Sequence, residues 1–343
     1  KMIMSHILFT YIYQKNILMK YSEQLLGISN AIVDILMHVD KKFLDDVGAP
    51  PGSMTLIDEK QAEKLYSLMH SPEKISGGSV ANTIAGFANL GGDSAYIGKV
   101  HDDVFGNIFN DDMRALGIDV RLKPTKSGSS TARSHILISE DGQRTMQTYL
   151  GACLELCLSD ISPSIIKKPK VILLEGYVWD IKDGPLLAKK VAEIGQKNNA
   201  TIAMSLSDSF CVNRHRNKFE MFVRNETNIV FADEDEINAL FGTQSIEEII
   251  KELSKLNTLF VITRAEKGSI IIQNELVIAQ DAMKVKEIID TTGAGDAYAA
   301  GFLFGWVKNF DLSECAKYGT YCATKIIQQI GARIDKGLLN TLI

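Results

Sequence analysis

The stretch from Val171 to Thr263 narrows the possible folds most. Short apolar runs at Val171–Glu175, Thr201–Ser205, Ile229–Phe231 and Leu259–Thr263 alternate with helical patterns at Pro185–Gln196, Lys218–Arg224, Glu234–Phe241 and Ile246–Leu256. Such runs, separated by helices, read as parallel strands, because parallel neighbours need a crossover between them. Those crossovers are right-handed, so the alternation predicts an α/β chain with a mostly parallel sheet and helices on both faces. The 343 residues, 45% hydrophobic and 23% charged, supply core for one large domain with an appendage, or for two domains.

The first half keeps part of this rhythm. Gln24–Ser29, Ser94–Val100 and Asp119–Leu122 read as strands. Helices are predicted from Asp58, a capping residue, to about Met69, from Ser79 to Leu90, and from Asp102-Asp103 to about Leu116. Two segments break the rhythm. One runs from Asp34 to Ile57 and carries a Pro50-Pro51-Gly52 break before a strand at Met54–Ile57. The other is a hairpin, Thr131–Ser139 and Arg144–Leu150, turning through Glu140-Asp141-Gly142-Gln143. Both are expected to leave the main sheet and pair as a small β layer, with segments near 35–57 and 128–151. Further on come a second hairpin, Gly268–Gln273 with Glu275–Ile278, a short strand at Val285–Ile289, and helices at Ala294–Lys308 and Leu312–Gln329.

Charge and composition exclude several function classes. A net charge of −5, with Lys and Arg scattered, gives no electrostatic footprint for nucleic acid or an anionic membrane. No apolar run is long enough to span a bilayer. Five cysteines without framework spacing point to a reduced, cytoplasmic protein, and six histidines without clustering argue against zinc. Residues 1–20 are expected to be an N-terminal extension outside the fold, with the domain covering 21–343.

Chemistry concentrates in Asp290-Thr291-Thr292-Gly293-Ala294-Gly295-Asp296, a polar Gly-rich turn running into an apolar helix. A helix N-terminus presents unpaired N–H groups and a positive dipole end, and Gly293 and Gly295 let an anion approach closely. Asp296, in the first turn, is placed as a base beside that anion, although an Asp there also serves as an ordinary cap. Two other polar groupings, Asn30 with Asp34 and Gly77-Gly78-Ser79-Val80-Ala81-Asn82, also follow strands or open helices. In a doubly wound sheet such positions converge at the strands' carboxyl ends. No G-x-x-x-x-G-K-[ST] and no protein-kinase signature set is present. Gly293-x-Gly295 falls short of a dinucleotide fingerprint, because Tyr298 holds its third glycine position.

The Asp290–Asp296 stretch resembles the C-terminal signature of the ribokinase-like (PfkB) carbohydrate kinase family, and Gly77–Asn82 its N-terminal signature. They occur in the family's order, with Asn30 and Asp34 ahead of them. The likeness covers nearly everything from Glu23 to Ile334, and within the family it is greatest to the adenosine kinases. It implies a three-layer α/β/α domain with a small β-sheet lid. It also implies that Asp296 is the general base, with Gly293, Ala294 and Gly295 forming an anion hole for the γ-phosphate. Arg144 would reach the transferring phosphate from the lid. Asp34, Gly77, Gly78, Ser79 and Asn82 would bind a ribose, with Asn30 in support. Ile32, Met146, Thr148, Leu150 and Tyr177 are expected to form a wall against a purine, the alternative being a hairpin core face.

By the same resemblance, Thr263, Arg264 and Gly268, with Gly293 and Gly295, fall in the ATP site. Glu236 would order Mg²⁺ through water. Asp233 stands where the family's N-x-x-E motif carries Asn. Asp290 and Thr292 match a monovalent-cation (K⁺) site, and Thr292 replaces an Asn that adenosine kinases often carry. The expected function is transfer of phosphate from ATP to a primary hydroxyl, the 5′-hydroxyl of adenosine. The rivals are a kinase for ribose, fructose or a related sugar, and a non-catalytic nucleoside- or sugar-binding protein. The expected partners are these small molecules, with the chain a monomer or homodimer.

Overall fold

Side-chain alternation along the strands sorts their apolar residues onto two faces. In the computed structural model, which describes residues 21–243 and 245–333, Leu25, Val171, Leu173, Ala203, Phe231 and Val261 enter one core. Leu26, Ile172, Leu174, Met204, Val230 and Ile262 enter the other. Both faces are apolar because helices cover both. Helices Ser79–Asn89, Val104–Ala115, Ala294–Val307 and Leu312–Ile326 pack on the first. Helices Gly184–Lys197, Ser209–Asn225, Glu234–Phe241 and Ile246–Leu253 pack on the second. The layers are thus α/β/α, as expected.

In chain order the described strands are β1 (Glu23–Ile28), β2 (Ile32–His38), β3 (Met54–Leu56), β4 (Glu73–Gly77), β5 (Ser94–Ile97), β6 (Asp119–Val120), β7 (Ala132–Ile138) and β8 (Arg144–Tyr149). They continue with β9 (Pro169–Glu175), β10 (Thr201–Ser205), β11 (Ile229–Asp233), β12 (Leu259–Thr263), β13 (Ser269–Gln273) and β14 (Leu276–Gln280). Nine form the large sheet, ordered β14-β13-β12-β11-β10-β9-β1-β5-β6. All its pairings are parallel except the edge hairpin β13–β14 and its junction with β12. The order reverses at β1, where Leu25 stands opposite both Ser94 of β5 and Val171 of β9. A crevice opens at the carboxyl ends of strands at such a point.

The second sheet is ordered β3-β8-β7-β2-β4. Its register sets residues in straight cross-strand rows on one face. Glu73, Leu36, Ile136, Met146 and Met54 form one row, and Ile75, Asp34, Ser134, Thr148 and Leu56 the next.

Four details differ from expectation. Glu73–Gly77, to which no strand was assigned, is a strand of the second sheet. Asp34 lies inside β2 rather than at the end of β1, because the chain changes sheets by Ile32. The helix expected at Lys218–Arg224 begins at Ser209, capped by the Asp208 side chain, which accepts from Cys211 N–H. Val285–Ile289 is not a strand; no strand pairs with it among the described residues, and Ile288 and Ile289 are exposed. Ile289 N–H instead donates to Ile327 O, at the end of a helix, at 2.8 Å.

No described helix is long and apolar enough to cross a membrane. The proposed extension, 1–20, and the end of the domain beyond 333 lie outside the described residues.

Candidate active site

At the reversal point, β1 and β9 end side by side. β9 ends in Glu175, which is buried, and its Oε2 accepts the N–H of Asn30 at 2.8 Å. Burial pushes the Glu175 carboxyl up to about 8, against the lowering effect of the Asn30, Val80 and Ser79 N–H groups. This carboxyl therefore ties the β1 exit to the start of the Ser79–Asn89 helix.

Asp296 is the third residue of the Ala294–Val307 helix. Ser79 Oγ donates to its Oδ1 at 2.6 Å, and Asn82 Nδ2 donates to its Oδ2 at 3.2 Å. Burial raises the Asp296 pKa to about 6, against the lowering effect of these two bonds and of the Arg333 charge. A carboxylate so poised is ionised at neutral pH and basic enough to accept a proton.

Gly293 caps the helix in the left-handed region, with φ 75°, and a Cβ there would stand 2.5 Å from Ala332 Cβ. A Cβ on Gly295 would meet nothing within 4 Å, so that residue faces open space. The Ala294 N–H is already used by Thr291 O at 3.2 Å, so of the first-turn amides those of Gly295 and Asp296 are the ones that can meet an anion. The turn borders a cavity of about 340 Å³ that is also lined by Ser79, Tyr177, Thr263, Asp233 and Glu236.

Asp34 lies across the crevice on β2. A Cβ on Gly77 would stand 2.3 Å from Asp34 Oδ2, so the glycine makes room for the carboxylate. Gly78 has φ 97° and packs on the Asn30 carbonyl, which leaves no space for a side chain. Burial raises Asp34 to about 6, with Arg333 and Arg144 pulling the other way. Asp34 shares a second, tighter cavity, about 80 Å³, with Asn82, Arg144 and Thr292. Leu36, Ile75, Ile136 and Ile330 supply apolar walls there. Asn82 Oδ1 is buried without a hydrogen-bond partner, a free acceptor in a polar corner. Asn30 Oδ1 is likewise buried and unpartnered.

Other expected site residues are placed as follows. Met146 packs with Leu36, Ile75, Ile136 and Ile138. Thr148 hydrogen-bonds Ser134 at 2.8 Å, Ile32 pairs with Gly77, and Leu150 follows the end of β8. Tyr177 is not with them. It lines the larger cavity, and its hydroxyl donates to Asp208 Oδ2. Thr263 lines the larger cavity, whereas Arg264 pairs with Glu234 at 2.8 Å in a separate cleft. Gly268, with φ 82°, serves the turn before β13, where a Cβ would stand 2.0 Å from Gln280 O.

Asp233 and Glu236 form a reciprocal capping box. Asp233 Oδ1 accepts the Glu236 N–H at 2.8 Å, and Glu236 Oε2 accepts the Asp233 N–H at 3.1 Å. An Asp at this position is thus a sound helix cap. Burial and the neighbouring Asp233 charge raise Glu236 to about 8. No group of three or more acidic, His or Cys side chains is placed to hold a metal among the described residues. Asp233 and Glu236 line the larger cavity together, and a pair of carboxyl groups suits Mg²⁺, which keeps several waters among its ligands.

Sequence reasoning missed Glu175 and the apolar trio Leu36, Ile75 and Ile136, and placed Arg333 only in a loop matching the monovalent-cation site. Arg333 Nε donates to Ser76 O and its Nη1 to Ala81 O, both at 2.9 Å, so it binds the end of the chain's last described loop to the Gly77-Gly78 turn. The trio carried a signal in the period-2 alternation of β2 and β7, but β4 was not read as a strand.

A family model described as pfkB family carbohydrate kinase matches residues 52–337. The chain is 41% identical to the adenosine kinase of Sinorhizobium meliloti, whose crystal structure superposes with a TM-score of 0.85, covering 93% of this chain and 98% of that one. It is 39% identical to a probable sugar kinase protein from Rhizobium etli, with a TM-score of 0.86 and coverage of 93% and 97%. Adenosine kinase 2 of Arabidopsis thaliana is 26% identical over 340 residues, covering 91% of this chain and 95% of that protein.

Proposed function

This chain belongs to the pfkB family of carbohydrate kinases, and from that premise we propose that it transfers the γ-phosphoryl group of ATP to the 5′-hydroxyl of adenosine. The observation that carries the nucleoside reading is the apolar wall of Leu36, Ile75, Ile136 and Ile330 in the same cavity as Asp34. An Asp carboxylate with an unpartnered Asn acceptor beside it suits a vicinal diol, and the wall beyond suits a flat, weakly polar base.

In this reading the primary hydroxyl lies against Asp296, which takes its proton as the oxygen attacks phosphorus. Negative charge on the moving phosphoryl group meets the Gly295 and Asp296 amides and the positive end of the helix dipole. Most of the catalysis is positioning and charge stabilisation, as phosphoryl transfer requires. Mg²⁺, bound with ATP, would neutralise phosphate charge. Glu236 and Asp233 would hold it, through water, at the wall of the larger cavity. Thr263 and Tyr177 border the space for the rest of the nucleotide.

A second reading, a free sugar as acceptor, is favoured by one observation. The Asp34 cavity of about 80 Å³ is far smaller than the ~300 Å³ at the lower end of small-molecule pockets. Adenosine therefore needs the second sheet to swing outward, as a lid, before it binds. The deciding experiment is turnover of ATP with adenosine, other nucleosides, ribose and fructose. A kcat/KM for adenosine at least tenfold above every free sugar supports the first reading. The reverse order overturns it in favour of a sugar kinase, and no turnover with any acceptor would point to a binding protein.

A further inference from the structure

Asp290 is expected to help hold a monovalent cation, and its surroundings do not fit that role. Its Oδ1 accepts the Thr292 N–H at 3.0 Å, and its Oδ2 accepts the Gly331 N–H at 2.8 Å. Arg144 Nη2 forms an ion pair with the same Oδ2. Two of about four acceptor positions on the carboxylate are filled by backbone hydrogen bonds, and the guanidinium lies against one of its oxygens as an ion partner. The two side chains are only 10% and 8% exposed, so water screens the pair weakly. A guanidinium is protonated at every accessible pH, and it already neutralises the carboxylate. A further cation at Asp290 would sit against a buried like charge.

The three partners of Asp290 come from three different parts of the site. Arg144 opens β8 of the second sheet, Thr292 belongs to the phosphate turn, and Gly331 belongs to the loop after the last described helix. That loop is itself fixed, since Ala332 packs under Gly293 and Arg333 holds Ser76 and Ala81.

We propose that Asp290 is a positioning residue that catches Arg144 when the second sheet closes and so couples lid closure to the shape of the phosphate turn, with the guanidinium standing in place of a monovalent cation. This rests on the kinase reading for its effect on rate, but the contact itself can be tested without any substrate.

The test uses the full-length protein and the variants Asp290→Asn, Arg144→Met and their double. Thermal melts are recorded in KCl, NaCl and choline chloride at equal ionic strength. The wild type should melt at the same temperature in all three salts. The melting losses of the two single variants should not add in the double. ATP turnover with the best acceptor is then measured in the same salts. Wild-type rates should agree within about twofold. Asp290→Asn should lower kcat at least tenfold while acceptor KM changes less than about threefold, a split that general loosening of the fold would not give. The double variant should be no slower than Arg144→Met alone. A K⁺-specific rise in wild-type melting temperature or rate, or single-variant effects that multiply in the double, overturns the proposal. Failure of every acceptor would count against the kinase reading alone, because the melts would still decide whether Asp290 and Arg144 act as one unit.

Discussion

The hydroxyl of Ser79 donates a 2.6 Å hydrogen bond to Oδ1 of Asp296, across 217 residues of sequence. With Asn82 on Oδ2, it fixes the carboxylate beside the Gly293–Gly295 turn and joins the family's two signature stretches.

If Asp296 is the base, Asp296→Asn removes the proton acceptor but keeps the shape. Its kcat should fall by roughly 10²–10⁴-fold, the usual worth of general base catalysis. Binding of the acceptor, measured by calorimetry, should change little. A variant retaining wild-type kcat would show that the proton leaves by another route.

Ser79→Ala tests the tuning of that base. The Ser79 bond favours the ionised carboxylate, so its loss should raise the pKa above about 6. The acid limb of the kcat profile should move to higher pH, with a several-fold loss near pH 6 and little change near pH 8.5. An unmoved limb with uniformly lower kcat would mean that Ser79 does not tune Asp296.

Four carboxyls of the site are raised by burial: Asp34 and Asp296 to about 6, and Glu175 and Glu236 to about 8. Each holds its proton more tightly folded than unfolded. Its stabilising contribution is complete below the unfolded pKa, near 4, and is lost as pH rises through the folded pKa. Asp34 and Asp296 lose theirs by about pH 6, so between about pH 6 and pH 8.5 Glu175 and Glu236 should lower the melting temperature of the free protein by several degrees, while activity rises through pH 6. Glu175→Gln should flatten the fall. A melting temperature that climbs over this range would contradict the assignment.

Gly77→Ala introduces a methyl group where Asp34 Oδ2 now lies, at 2.3 Å. The carboxylate must move, at the cost of a charge-assisted bond to the acceptor worth about 1.5–3 kcal/mol. Acceptor KM should rise by about 10- to 150-fold with kcat less affected. Unchanged steady-state kinetics would remove Asp34 from the acceptor site.

Much of this molecule was legible from local pattern. The parallel strands from β9 to β12 and the helices between them announced themselves by period. The turn Asp290–Asp296 was legible as a Gly-rich entry to an apolar helix, and a helix does start at Ala294 with Gly293 as its cap. The strand expected at Val285–Ile289 did not form, since apolar character alone provides no partner for a ladder. β4 was missed for the opposite reason: Glu73-Lys74-Ile75-Ser76-Gly77 has little strand character of its own and pairs because β2 lies beside it.

The sequence by itself determined the two-faced apolar strands, their helical crossovers and the Gly-rich entry to the helix at Ala294, because each depends on residues near one another in the chain. Tertiary structure alone decided which distant groups meet. It put Ser79 and Asn82 on Asp296, Glu175 under Asn30, Tyr177 on Asp208, and Arg144 on Asp290. It also set the pKa values of the site, since burial and neighbouring charge exist only once the sheets have closed over these carboxyls.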